Sequence, residues 1–148
     1  MKPLSAMTPQ EIAEASARSL WKGDTATQEL GMRLEEVGPG TATISMTITA
    51  AMSNGHGTCH GGYLFTLADS AFAFACNSRN QHAVAQHCSI TYLLPGRIGD
   101  RLTAQAVEVS RQGRSGIYDV RITNQDGQHL AEFRGHCRTI KGTHIPEG

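Results

Sequence analysis

Residues 61–77 read GGYLFTLADSAFAFACN, and this stretch decides the fold. It is long enough for about four turns of helix. Between Gly61 and Cys76, Tyr63 aside, the polar side chains are Thr66, Asp69 and Ser70. A helix that is apolar nearly all round is buried. Ala68, Ala71, Ala73 and Ala75 let neighbouring backbone approach closely. The rest of the chain must therefore supply cover for a central helix.

Upstream, residues 52–60 (MSNGHGTCH) form a glycine-bearing loop. Before it, Ala42, Ile44, Met46 and Ile48 alternate with Thr and Ser from Thr41 to Thr49, the period of a half-buried strand. Gly38-Pro39-Gly40 separates this strand from an earlier one on which Leu30, Met32 and Leu34 alternate with polar residues. The chain opens with a helix over about residues 8–22. Thr8-Pro9-Gln10-Glu11 supplies a capping hydroxyl, a first-turn proline and a capping-box glutamate, and Gly23-Asp24 ends the run.

Downstream, four strands are expected. Val84 to Leu94 stops at Pro95-Gly96, and Arg101 to Ser110 is followed by Gln112-Gly113. Gly116 to Thr123 meets the Asp126-Gly127 turn signal, and Gln128 to Ile140 closes the set. One helix, two strands, a buried helix and four strands make an α+β domain, with an antiparallel sheet wrapped on the central helix. A closed barrel would leave that helix uncovered. Residues 1–148 are read as a single domain.

The 148 residues carry thirteen Lys+Arg and thirteen Asp+Glu. Zero net charge argues against nucleic-acid or membrane binding through bulk positive charge, and it favours self-association. No apolar run approaches the length of a membrane span, and the first residues lack the apolar core of a secretory signal. Cys59, Cys76, Cys88 and Cys137 are widely spaced without a CxxC pair, as expected of free thiols in a reducing cytoplasm.

Asp69 is the most informative residue, because a carboxylate on an apolar helix is costly unless it is paired or used. It is a candidate nucleophile or general base. The pair Gly61-Gly62 begins the same helix, where unpaired N–H groups and the positive dipole end point outward and can stabilise an oxyanion. Eight residues separate Gly61 from Asp69, which is about 12 Å along a helix. One carbonyl carbon cannot meet both groups of one chain. Either they serve different sites, or Asp69 of one subunit faces the glycine turn of another, as a two-fold dimer allows.

Asn54 is a third candidate, either as a turn residue of Ser53-Asn54-Gly55 or as a donor to a carbonyl or water. His56 and His60 have the four-residue spacing of helical metal ligands. Gly55 and Gly57 break any helix there and no acidic ligand lies nearby, so no metal is expected. His60 is expected to orient the loop or the substrate.

The string from Asn54 through His60-Gly61-Gly62, followed by Leu67-Ala68-Asp69-Ser70-Ala71-Phe72-Ala73, resembles the motif of hotdog-fold acyl-CoA thioesterases, in particular the bacterial phenylacetate-degradation type. Ser89-Ile90-Thr91-Tyr92-Leu93-Leu94-Pro95-Gly96 is similar to that family's strand after the helix. The resemblance implies a hotdog fold, a dimer whose sheets join edge to edge and often pair again into a tetramer, and hydrolysis of acyl-CoA thioesters without metal or cofactor, coenzyme A being part of the substrate. It implies that the Gly61 N–H binds the thioester oxygen, that Asp69 of the facing subunit is nucleophile or base, and that Asn54 lines the same site. A serine that helps orient water in some relatives has Ala85 as its nearest position, and that role is not carried over.

A CoA tail needs phosphate contacts. The candidates are Arg111, Gly113, Arg114 and Ser115 in one turn, Lys141 after the last strand, Asn77 and Arg79 after the helix, and Gly62 beside the site. Phe65, Phe72 and Phe74 are candidates for an acyl pocket or for the core. Two other functions are open to the same residues: a hotdog hydratase or dehydratase, and a non-catalytic acyl-CoA binding module.

Overall fold

A computed structural model describes residues 2–146. After a single 3-10 turn (Leu4–Ala6), helix α1 spans Pro9–Gly23. Its capping box is complete: Thr8 accepts from the Glu11 N–H, and the Glu11 carboxylate accepts from the Thr8 N–H. Ala13, Ala15, Ser16 and Ala17 are its buried face, and Trp21 reaches Phe74 with ring centroids 6.2 Å apart. Asp24 ends α1 and at once caps a second helix, α2 (Thr25–Glu29), by accepting from the Thr27 N–H. The sequence signals mark Gly23-Asp24 only as a stop, so α2 was not expected.

Six antiparallel strands follow the expected order: β1 (Arg33–Gly38), β2 (Thr41–Thr47), β3 (Ala83–Tyr92), β4 (Arg101–Gln112), β5 (Ser115–Thr123) and β6 (His129–Thr139). In space they run β1-β2-β4-β5-β6-β3. Strand β1 starts later than its alternation implies, because Gly31 turns the chain at φ +72° after α2.

Helix α3 (Gly61–Cys76) lies across the sheet after a 3-10 turn at Ala50–Met52. Leu64, Leu67, Phe72 and Phe74 of α3 share a core with Ile44, Met46, Leu102, Val120, Ile122, Leu130 and Phe133. Each such side chain contributes about 1.5–3 kcal/mol on burial. Gly135 admits the helix: a Cβ there would stand 2.7 Å from the Phe72 ring.

One face of α3 departs from the all-round burial that its composition implies. Gly62, Thr66, Asp69, Ala73 and Cys76, spaced by four and three residues, stay wholly or partly exposed as one stripe. The two sheet edges also differ. Strand β1 carries Arg33, Glu35 and Glu36 and a bulge at Leu34/Glu36, features that discourage further pairing. Strand β3 (AVAQHCSITY) has no Asp, Glu, Lys or Arg along its ten residues, and one edge of it is unpaired. Val84, Tyr92, Leu93 and Leu94, on and just after it, are large apolar side chains left 43–50% exposed.

Candidate active site

The loop before α3 is tied down on three sides. The Cys59 N–H donates to the Gly96 carbonyl at 2.8 Å, and the His60 N–H donates to Met52 at 2.7 Å. Asn54 Oδ1 accepts from the N–H groups of His56 (2.9 Å) and Thr58 (3.2 Å) and from the Thr58 hydroxyl. Asn54 is therefore a turn residue, as one reading of Ser53-Asn54-Gly55 holds. Its Nδ2 donor finds no acceptor among the described residues.

His60 is the N-cap of α3. Its ring Nδ1 accepts from the Gly62 N–H at 3.0 Å, which assigns the neutral ring's proton to Nε2. The Tyr63 N–H donates to the His60 carbonyl. The donors around Gly61 are thus spent, while the Gly61 N–H meets no acceptor among the described residues. Gly61 and Asn54 line a cavity of about 450 Å³ together with Cys59, Leu64, Tyr92, Leu93, Leu94, Pro95 and Gly96. A larger groove of about 1270 Å³ runs between α1 and the strands β1, β2 and β4, and holds none of the predicted site residues. The smaller cavity holds two of the candidate residues, Gly61 and Asn54.

Asp69 does not line that cavity. It sits on the half-open stripe, beside β3: burial, and after it the Asp69 charge, raises the Cys88 thiol to about 11. Burial and then the neighbouring Asp24 raise the Asp69 carboxyl above its ordinary value. No hydrogen bond or cation compensates it among the described residues. Within one chain the structure separates Gly61 from Asp69, as the eight-residue spacing requires.

Several expectations need correction. The Gly62 N–H is taken by His60 and is not available to a ligand. Asn77 is buried, and its amide is fully used: Nδ2 donates to the carbonyls of Ala73 and Ala83, while Oδ1 accepts from the Ala83 N–H and bonds the His144 ring. Arg79 is ion-paired to Glu108 at 2.6 Å, and Tyr118 donates to the same carboxylate. These two residues fasten the end of α3 rather than reach for a phosphate. Phe72 and Phe74 are core, and Phe65 packs edge-on to Phe133 at 5.4 Å.

Arg111, Gly113, Arg114 and Ser115 form an exposed β4–β5 hairpin, with Gly113 at φ +58°. The Thr139 N–H bonds the Arg114 carbonyl and Arg111 donates to Gln81, so Lys141 and the arginines gather where α3 ends. Arg138, opposite Ser115, joins them, a residue that the sequence reading did not select. The reading also passed over Tyr92, whose hydroxyl donates to the Gly61 carbonyl at 2.9 Å. Its one visible signal was its place just before Leu93-Leu94-Pro95-Gly96.

A buried helix on an antiparallel sheet, with a free glycine N–H at its start and an unpaired carboxylate two turns on, defines a class. The family model for the thioesterase superfamily matches residues 56–131, just over half of the chain, and the chain belongs to that superfamily as a hydrolase of the hotdog fold. The chain is 46% identical over 129 residues to the acyl-coenzyme A thioesterase PaaI of Escherichia coli strain K12, covering 86% of this chain and 91% of the relative. The solved structure of the E. coli PaaI protein from the phenylacetic acid degradation operon superposes with a TM-score of 0.90 at 43% identity, over 92% of this chain and 99% of that one. A hypothetical thioesterase protein of Streptococcus pneumoniae TIGR4, solved with coenzyme A, gives a TM-score of 0.72 at 28% identity, over 76% of this chain and 90% of that one. Among the described residues no helix is long and apolar enough to cross a membrane, and no three metal-ligating side chains cluster.

Proposed function

We propose that this protein hydrolyses acyl-CoA thioesters to the free acid and coenzyme A, with phenylacetyl-CoA or its ring-hydroxylated forms as the substrate class. The observation that carries the reading is the free Gly61 N–H on a cavity that excludes the same chain's Asp69. The thioester oxygen takes the Gly61 N–H, reinforced by the start of α3, and such donors are worth a few kcal/mol as the oxyanion forms. Asn54 lines the same cavity, and its Nδ2 is the second candidate donor. Asp69 of a partner subunit either attacks the carbonyl carbon, giving a mixed anhydride that water opens, or takes a proton from the attacking water. The CoA thiolate leaves readily in both routes. The acyl preference is supported by the likeness to the E. coli relative.

The site so described needs two subunits. Two-fold pairing of the β3 edges is antiparallel. Tyr92, at one end of β3, adjoins Gly61, while Ala83, at the other end, adjoins the close of α3. Pairing therefore carries a partner's Asp69 stripe and basic hairpin toward Gly61. The uncharged β3 edge and its exposed apolar side chains support a dimer, and a dimer of dimers is a further step of the same kind. Arg111, Arg114, Ser115 and Lys141 are the candidates for the CoA phosphates, with Gly113 shaping the turn. The four free thiols suit a cytoplasmic setting.

The test is thiol release from phenylacetyl-CoA, hydroxyphenylacetyl-CoA and a series of aliphatic acyl-CoAs, with crotonyl-CoA hydration as control. Turnover highest on the arylacetyl esters, and reduced by orders of magnitude in Asp69→Ala, is expected. Near-normal turnover in folded Asp69→Ala would overturn the assignment.

A further inference from the structure

We propose that Tyr92 is a positioning residue for the thioester-binding N–H of Gly61, one half of a two-sided clamp whose other half is His60; this rests on the reading of Gly61 given above. The Gly61–Gly62 peptide is held at both of its polar ends. Its carbonyl accepts from the Tyr92 hydroxyl at 2.9 Å, and its N–H donates to His60 Nδ1 at 3.0 Å. The plane of that peptide is thereby fixed, and with it the conformation of Gly61. Glycine has the freest backbone of any residue, and without a clamp its preceding N–H is the least directed of donors. A donor aimed at a developing oxyanion stabilises it only if it is held in place beforehand.

Tyr92 also acts through its ring. A Cβ built on Gly61 would stand 2.8 Å from the Tyr92 Cζ and 2.9 Å from its hydroxyl oxygen. The ring therefore lies against the Gly61 α-carbon and forms the cavity wall beside the free N–H. Its own anchorage is firm: Tyr92 is paired with Ala131, and the N–H groups of Leu93 and Leu94 both donate to the Leu130 carbonyl. The sheet so reaches across to the helix start through this one phenol. The hydroxyl does not need to touch substrate for this role. It gives a helical carbonyl an additional donor, which polarises the peptide and strengthens the Gly62 bond to His60 in the same chain of hydrogen bonds.

The substitution Tyr92→Phe keeps the ring against Gly61 and removes only the hydroxyl. On the best acyl-CoA substrate, kcat should fall roughly tenfold, the weight of one well-placed hydrogen bond, while KM stays within about twofold. A merely structural role would lower the melting temperature and leave kcat per folded molecule unchanged. The second readout is independent of activity. In amide-resolved NMR the Gly61 and Gly62 N–H resonances should move in Tyr92→Phe, and the Gly62 amide should exchange faster with solvent. Unchanged kcat, or unmoved Gly61 and Gly62 resonances, would overturn the clamp. If the parent protein hydrolyses no acyl-CoA, the function reading falls by itself, and the resonances still decide whether Tyr92 holds the Gly61–Gly62 peptide.

Discussion

Asp24 stands near enough to Asp69 for its charge to raise the Asp69 carboxyl, in addition to the larger effect of burial. Asp24 is itself engaged as the cap of α2, taking the N–H and hydroxyl of Thr27. The carboxylate two turns into α3 is therefore kept basic by two features that the fold supplies without a cation. A raised pKa makes the ionised form a better base and a better nucleophile.

The acid limb of the pH–rate profile should accordingly lie above the ordinary carboxylate value of 3.8. In the proposed mechanism Asp69 acts as the anion, so activity should be lost as pH falls through its raised pKa. Replacing Asp24 by Asn removes the charge and retains a good helix cap. The limb of kcat/KM should move to lower pH in Asp24→Asn. A limb that stays in place would show that burial alone sets it.

Stability should respond in the opposite sense. A carboxyl whose folded pKa is raised favours the folded state while protonated, and that contribution is lost as pH rises through the folded value. At neutral pH the anion therefore destabilises the protein, and Asp69→Asn should melt at a higher temperature than the parent. The gain should shrink toward zero as pH falls below 3.8, where the parent is protonated in both states. Thermal scans from pH 3 to pH 8 check the crossing.

The strands were legible because β4 and β5 turn every second side chain toward the core, and β2 does the same with Ala42, Ile44 and Met46 although Ser45 is also buried. The central helix was legible from composition, and its length from its glycine start. What local pattern could not show was the half-open stripe through Asp69, since Ala73 and Cys76 read as core residues. Nor could it show that Asn77 is buried. The tail lies over it, with Asn80 at φ +58° holding the N–H groups of His144 and Ile145, 64 and 65 residues away in sequence. Asn77 and Arg79 looked like a solvated turn for that reason. The turn at Asn54 and the helix start at Gly61 were legible because turn chemistry and helix starts are local. Tyr92 was not, because its partner is 31 residues distant.

A shared site has a quantitative signature. Gly61→Ala should be inactive, since the added methyl meets the Tyr92 ring, and Asp69→Asn should be inactive for want of the carboxylate. Mixed, unfolded and refolded together in equal amounts, the two chains form hybrids with one intact Gly61 facing one intact Asp69. Half of all dimers are hybrid and half of their sites are whole, so about a quarter of parental activity should return. No recovery from the mixture would place both groups of each site in one chain.

Asn54 separates shape from chemistry. In Asn54→Asp the carboxylate still accepts from His56 and Thr58, so the loop should keep its form and its melting temperature. The amide donor is gone, and in the proposed mechanism a negative charge then stands beside the developing oxyanion. A loss in kcat/KM of about a hundredfold is expected, the usual weight of one oxyanion donor. Asn54→Ala should lose stability as well, because the turn then lacks its acceptor.

The basic residues should divide by role. Arg79→Met leaves Glu108 with only the Tyr118 hydroxyl, and both partners of the lost ion pair are largely sheltered, at 31% and 25% side-chain exposure. Unfolding free energy should fall by about 2 kcal/mol, less than for a fully buried pair because solvent still screens it. The KM of the remaining folded enzyme should hold. Arg111→Ala combined with Arg114→Ala removes two exposed guanidinium groups, one of them hydrogen-bonded to Gln81. Stability should hold, and KM for acyl-CoA should rise about tenfold, since arginine–phosphate contacts are strong and charge-assisted. The same pair of substitutions should leave KM unchanged for an acyl thioester of N-acetylcysteamine, which has no phosphates. Equal effects on both substrates would place the hairpin away from the CoA tail.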